Sequence, residues 1–177
     1  MAKILAFAGS NSSTSINYQL VKYTVSLLEA HDVQLLNMSH FPFPMYSEDY
    51  EKENGYSNSL IELKNDMAKS SGIIISVNEH NSNPSAYFKN LIDWLSRLER
   101  KFLDEKPVLL MSTSGGKRGG ASSLEVTKNL IPRFGAEVVA TFPLSSYYEN
   151  FDASKGITDT GLAGAHRSAL DEFLAKL

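Results

Sequence analysis

Apolar residues along this chain fall into two alternating patterns. Lys3–Ala8, Val33–Leu36, Gly72–Val77, Pro107–Ser112 and Ala136–Phe142 are short apolar runs of strand length. Between and after them lie longer segments with apolar residues at helical spacing. These are Ile16–Ala30 (Ile16, Leu20, Tyr23, Leu27, Ala30), Ser59–Ser70 (Leu60, Leu63, Met67), Ser85–Lys101, Ala121–Phe134 and Leu162–Leu177. Ser15 or Thr14 is placed to N-cap the first helix, and Pro132 to end the fourth before Phe134. The run Gly72-Ile-Ile-Ile-Ser-Val77 has no polar face, as expected of a strand covered on both sides in a parallel sheet. Asn37–Ser57, with Phe41-Pro42-Phe43-Pro44 and an acidic stretch at Glu48–Glu53, reads as a long loop. Loops of that length inside compact domains are often functional.

Five strands alternating with five helices predict a single α/β domain over residues 1–177. The expected sheet is five-stranded and parallel, in the order 2-1-3-4-5, with right-handed crossovers. In such sheets ligands sit beyond the carboxyl ends of the strands, at the switch point between strands one and three. The loops after strands one, three and four therefore carry the candidate chemistry.

Composition narrows the choices. The net charge of −3 argues against a dedicated nucleic-acid binder. The absence of cysteine removes disulfides, thiolate metal sites and a cysteine nucleophile. No metal site is expected. The apolar run at Ile4–Ala8 is too short for a signal peptide core or a membrane span, so a cytoplasmic protein is expected.

After strand one, Gly9-Ser10-Asn11-Ser12-Ser13-Thr14-Ser15-Ile16-Asn17 leads hydroxyl and amide side chains into a helix N-terminus. Free N–H groups and the positive end of the dipole suit an anion there. The loop has neither the dinucleotide pattern G-x-G-x-x-G nor the triphosphate pattern G-x-x-x-x-G-K-[ST], so a terminal phosphomonoester fits best. A plain Ser/Thr-rich turn with an N-cap is the alternative. After strand three, Asn78-Glu79-His80-Asn81-Ser82-Asn83-Pro84-Ser85 offers groups able to read the edge of a flat heterocycle. The same residues are turn formers. After strand four, Ser112-Thr113-Ser114-Gly115-Gly116-Lys117-Arg118-Gly119-Gly120 permits close backbone approach to a ligand, with two cations for nucleotide phosphates or for solvent.

Taken together, Ala8-Gly9-Ser10…Ser15-Ile16-Asn17, Glu79-His80-Asn81…Phe88-Lys89-Asn90-Leu91-Ile92-Asp93-Trp94-Leu95-Ser96-Arg97, and Gly115-Gly116…Gly119-Gly120 resemble the NADPH-dependent FMN reductase family. The resemblance spans roughly residues 1–145 and implies a flavodoxin-like three-layer fold. It implies FMN as cofactor, with Ser10, Ser15 and Asn17 on its phosphate, joined by Ser12 and Ile16 of the same loop. Ser12 stands where many members carry arginine, which leaves NADPH and NADH both open as donors. Asn78, Glu79, His80 and Asn81 correspond to the flavin-edge loop, with His80 replacing a common tyrosine. Ser114, Gly115 and Gly116 correspond to the loop near the flavin ring.

The resemblance further implies hydride transfer from nicotinamide to flavin and onward to a small acceptor such as a quinone, azo compound or free flavin. No catalytic side chain is required, because the cofactor carries the chemistry. A homodimer or homotetramer, formed around the Lys89–Arg97 region, is implied as well. That region also has a local reading: Leu91, Ile92 and Leu95 pack inward, while Lys89–Asp93 and Asp93–Arg97 are spaced for helix ion pairs. A flavodoxin-type electron carrier without nucleotide turnover is the chief alternative. Phe41–Tyr50, and Tyr147, Tyr148 and Phe151, read equally as substrate wall or as packing.

Overall fold

The computed structural model describes residues 1–177. Strands β1 (Lys3–Ala8), β2 (Asp32–Leu36), β3 (Gly72–Val77), β4 (Pro107–Thr113) and β5 (Glu137–Leu144) form one parallel sheet in the order β2-β1-β3-β4-β5. Helices α1 (Ile16–Ser26), α2 (Glu48–Asn54), α3 (Asn58–Lys69), α4 (Ala86–Leu98), α5 (Ala121–Leu130) and α6 (Thr160–Leu174) accompany it.

Period-two alternation sorts the strand residues between two cores. Leu5, Phe7, Ile73, Ile75, Val77, Val108 and Leu110 face α3, α4 and α5. Ile4, Ala6, Ala8, Ile74, Leu109 and Met111 face α1 and α6. Every residue of β3 and β4 is buried, whereas the edge strands β2 and β5 are only partly so. A bulge places Val139 and Ala140 against Leu109, which adjusts β5 before its exit. No helix is long and apolar enough to cross a membrane.

Several boundaries differ from expectation. The first helix ends at Ser26, not Ala30, where Leu27 leaves the helical conformation. The fourth expected helix divides into α5 and a 3₁₀ turn at Ile131–Phe134, with Pro132 at the start of the turn, where its missing N–H is harmless. The last helix begins at Thr160, capped by Asp159, ahead of the expected Leu162. The largest difference lies in Asn37–Ser57. This is not a structureless loop: it holds a 3₁₀ turn at Met38–His40 and then α2, N-capped by Ser47. Its residues show no helical apolar stripe because α2 buries none of them.

Candidate functional site

Close packing fixes the exit of β1. The N–H of Gly9 donates to the Ser76 carbonyl at 2.8 Å, and Ser85 Oγ donates to the Gly9 carbonyl at 2.9 Å. A Cβ at Gly9 would lie 2.7 Å from the Phe88 ring, so only glycine lets β1 approach α4 this closely. Ser85 also caps α4 by accepting from Phe88 N. One serine thus ties the first loop to the start of the fourth helix.

Asn17 makes the second tie. Its Oδ1 accepts from Ser76 Oγ at 2.8 Å and from Thr113 N at 3.0 Å, while its Nδ2 donates to the Thr113 carbonyl at 3.1 Å. The buried amide therefore clamps α1 to the ends of β3 and β4. One N–H of Nδ2 remains for a ligand. Ser15 is the N-cap of α1, accepting from Tyr18 N, and its hydroxyl proton remains free. The N–H groups of Ile16 and Asn17 meet no acceptor in the protein. Ser12 serves the loop itself: its hydroxyl accepts from Thr14 N, and its carbonyl from Ser15 N.

The exit of β3 is a miniature hairpin, with Glu79–His80 paired to Asn83–Pro84. Asn81 and Ser82 have φ of 52° and 62°, the left-handed pair that a tight two-residue turn demands. The carboxylate of Glu79 accepts from Ser123 N at 3.0 Å in the first turn of α5, and Ser123 Oγ donates to the Asn78 carbonyl. Glu79 is thereby committed to capping a neighbouring helix. Asn78 Nδ2 lies 3.4 Å from His80 Nε2, and Asn78 Oδ1 is buried with no partner.

After β4, the glycine-rich turn is fastened to the end of β5. Ser112 Oγ donates to the Gly119 carbonyl, and Thr113 Oγ1 to the Leu144 carbonyl. Gly119 has φ +58°, and a Cβ there would lie 2.6 Å from Leu144 O. Lys117 and Arg118 are exposed on this turn, outside the cavity wall.

These three exits surround one open cavity of about 270 Å³. Ser10, Ser15, Ile16, Asn17, Asn78, Glu79, His80, Ser114 and Gly115 line it. Ser12, Asn81 and Gly116 do not; they sit in the turns behind or beside it. Thr14 and Thr113 of the same loops also line it, as does Tyr148, which the sequence left open between substrate wall and packing. Thr14 and Thr113 adjoin expected site residues, whereas the position of Tyr148 depends on the fold of the chain after β5.

The Lys89–Arg97 segment does something else. Tyr87, Asn90, Trp94 and Arg97 form one stripe of α4 at spacings of three and four. Tyr87 OH donates to Phe41 O, while Asn90 Nδ2 and Trp94 Nε1 both donate to Pro44 O. Arg97 Nε donates to Glu51 at 2.9 Å, and Glu51 also accepts from Tyr46 and Tyr56. The expected Asp93–Arg97 pair does not form because Glu51 takes the guanidinium; Lys89–Asp93 does form, at 2.6 Å. Bonds from Arg97, then from Tyr56 and Tyr46, lower the Glu51 pKa to about 2. Trp94 is buried, with Tyr46, Tyr50 and Tyr56 edge-on around it. Its role is packing.

Sheet order and rim define a flavodoxin-like α/β protein with a donor-rich cavity at its topological switch point. The family described as NADPH-dependent FMN reductase matches residues 2–149, and the chain belongs to that family. A quinone reductase of Escherichia coli (strain K12) is 37% identical over 78 residues, which cover 44% of this chain and 42% of that protein. The chain thus spans about two fifths of the length of that relative. An uncharacterized protein of Mycoplasma pneumoniae is 28% identical over 155 residues, covering 85% of this chain and 91% of its own. In fold, the flavoenzyme NAD(P)H:(acceptor) oxidoreductase of Paracoccus denitrificans superposes with a TM-score of 0.78 at 24% identity, over 99% of each chain.

Proposed function

We propose that this protein is an FMN-dependent NAD(P)H oxidoreductase that reduces a small planar acceptor, such as a quinone, an azo compound or free flavin. The observation that supports it most is the convergence of three separate loops on one cavity, where the N–H groups of Ile16 and Asn17 and the hydroxyl proton of Ser15 have no protein partner. The residues fit FMN. The unpaired N–H groups of Ile16 and Asn17, with the hydroxyls of Ser10, Ser15 and Thr14, suit a phosphate dianion at a helix N-terminus. Neither lysine nor arginine lines the cavity, so neutral donors and the helix dipole would hold the phosphate.

When bound, FMN supplies the two-electron relay between reduced nicotinamide and acceptor. The chain's part is placement. Asn17 keeps the phosphate end and the ring end in register by joining α1, β3 and β4. Asn78 and His80 on one side, and Ser114 and Gly115 on the other, would present side-chain and main-chain groups to a flat ring, with Asn81 and Gly116 shaping the turns that carry them. Glu79 holds its loop by capping α5. N–H donors at such positions stabilise negative charge that develops on a ring edge. An assembly of two or four copies and a cytoplasmic setting go with this reading.

The test is to reconstitute the purified protein with FMN, then follow NADH and NADPH oxidation with 1,4-benzoquinone under anaerobic conditions. Steady, FMN-dependent oxidation of either nucleotide is expected. A protein that takes up no FMN, or takes it up without oxidising either nucleotide, overturns the proposal; the second result describes an electron carrier.

A further inference from the structure

Tyr148 is the only large aromatic ring on the cavity wall, and it is 76% exposed. Its backbone is nevertheless well anchored. Ser146 N donates to Gly116 O at 2.9 Å, and Tyr147 N to Ser114 O at 3.0 Å, which fastens the one-turn helix Tyr147–Asn150 to the glycine-rich turn. Beneath it, Tyr147 stacks on Phe151 at 4.9 Å and meets the Tyr148 ring edge-on at 5.4 Å. A Cβ at Gly115 would lie 3.1 Å from Tyr148 Cε2, so the ring rests against glycine backbone that leaves it room. The Tyr148 hydroxyl makes no bond within the protein.

The rest of the wall consists mostly of hydroxyls, amides and main chain, which suit a phosphate and the edges of a heterocycle. Apart from the aliphatic Ile16, only Tyr148 offers a broad apolar face there. Aromatic rings attract one another in offset or edge arrangements. We infer that Tyr148 is the specificity-determining wall for the acceptor: its ring packs on a planar conjugated molecule and selects such molecules over compact inorganic oxidants. This rests on the oxidoreductase reading above and goes beyond it by naming what chooses the acceptor.

The experiment compares the parent with Tyr148→Ala and Tyr148→Phe, each reconstituted with FMN. Rates are taken with 1,4-benzoquinone and with ferricyanide, which has no ring to stack. Binding of 1,4-naphthoquinone to the oxidised protein is read from perturbation of flavin absorbance. In Tyr148→Ala the benzoquinone-to-ferricyanide ratio of kcat/KM is expected to fall about fivefold, through KM, with naphthoquinone binding weakened by the same factor. Tyr148→Phe is expected to stay within about twofold of the parent, since it keeps the ring face. An unchanged ratio in Tyr148→Ala overturns the inference while leaving the enzyme reading intact. So does an equal loss in Tyr148→Phe, which assigns the effect to the hydroxyl. A tenfold or greater weakening of FMN itself in Tyr148→Ala also overturns it, by making Tyr148 a cofactor contact. A parent that binds no FMN removes the enzyme reading and this inference together.

Discussion

The rim beyond β1, β3 and β4 and the brace between α4 and residues 41–56 are built from opposite materials. The rim is small and polar, its donors left open, and its shape is held by a few buried polar groups such as Asn17 and Ser85. The brace is aromatic and its polar groups are paired, with Trp94 ringed by three tyrosines and Glu51 receiving bonds from Arg97, Tyr46 and Tyr56. The difference separates support from chemistry. The residues most distinctive as a sequence pattern, Lys89–Arg97, build support. The residues that line the rim cavity are mostly serines, threonines and asparagines, generic as a sequence pattern.

Removing the centre of the brace gives the largest effect. Trp94→Ala is expected to cost about 4 kcal/mol in urea unfolding, typical of an aromatic deleted from a core. FMN affinity of the molecules that remain folded should stay within about threefold. If that affinity collapses instead, brace and rim are not separable.

Mild acid should act on neither region but on the core between α1 and α6. Buried His166 lies between α6 and α1, with Nε2 2.9 Å from Thr24 Oγ1. Burial, with a smaller contribution from Arg167, pushes its pKa down to about 4 from 6.5. Between those values the unfolded chain holds a proton that the folded chain excludes, so stability falls as pH drops from 6.5 to 4. The loss is expected to reach roughly 3 kcal/mol. Chemical unfolding across that range should show it, and His166→Gln should flatten the curve.

Asn17→Ala is expected to cost about 2 kcal/mol, because a buried N–H and a buried hydroxyl lose their acceptor. FMN should bind at least about tenfold more weakly, since the rim loses its clamp. A variant that melts early yet keeps full FMN affinity would show that α1 docks correctly without the amide.

The fold was legible because β3 and β4 carry no polar face, and their burial on both sides leaves few sheet orders. The rim was legible because small polar residues cluster where strand-length apolar runs stop. What could not be read was tertiary. Glu51 looks like one acid in an acidic stretch, and only the fold brings Arg97 to it. Residues 37–57 lack an apolar stripe, so α2 left no periodic signal. Tyr148 reaches the cavity only because a turn after β5 is fastened to Ser114 and Gly116.

Smaller effects sharpen the same contrast. Ser15→Ala removes the α1 cap and is expected to cost about 1 kcal/mol of stability, with a matching loss in FMN affinity by fluorescence titration. Glu51→Gln should slightly lower the melting temperature at neutral pH and leave FMN affinity unchanged. The Glu51 contribution is present above pH 4.5 and is lost as pH falls from 4.5 to about 2, because the folded state holds the carboxylate ionised. The melting-temperature gap between Glu51→Gln and the parent should therefore close in that acid window.

Amide chemical shifts recorded during FMN titration test the central claim most directly. The largest changes are expected at Ser10–Asn17, Asn78–Asn81 and Ser114–Gly116, with Tyr46, Glu51, Tyr56 and Arg97 nearly still. Saturable FMN binding whose largest shifts fall in the brace, or no binding at all, would contradict it.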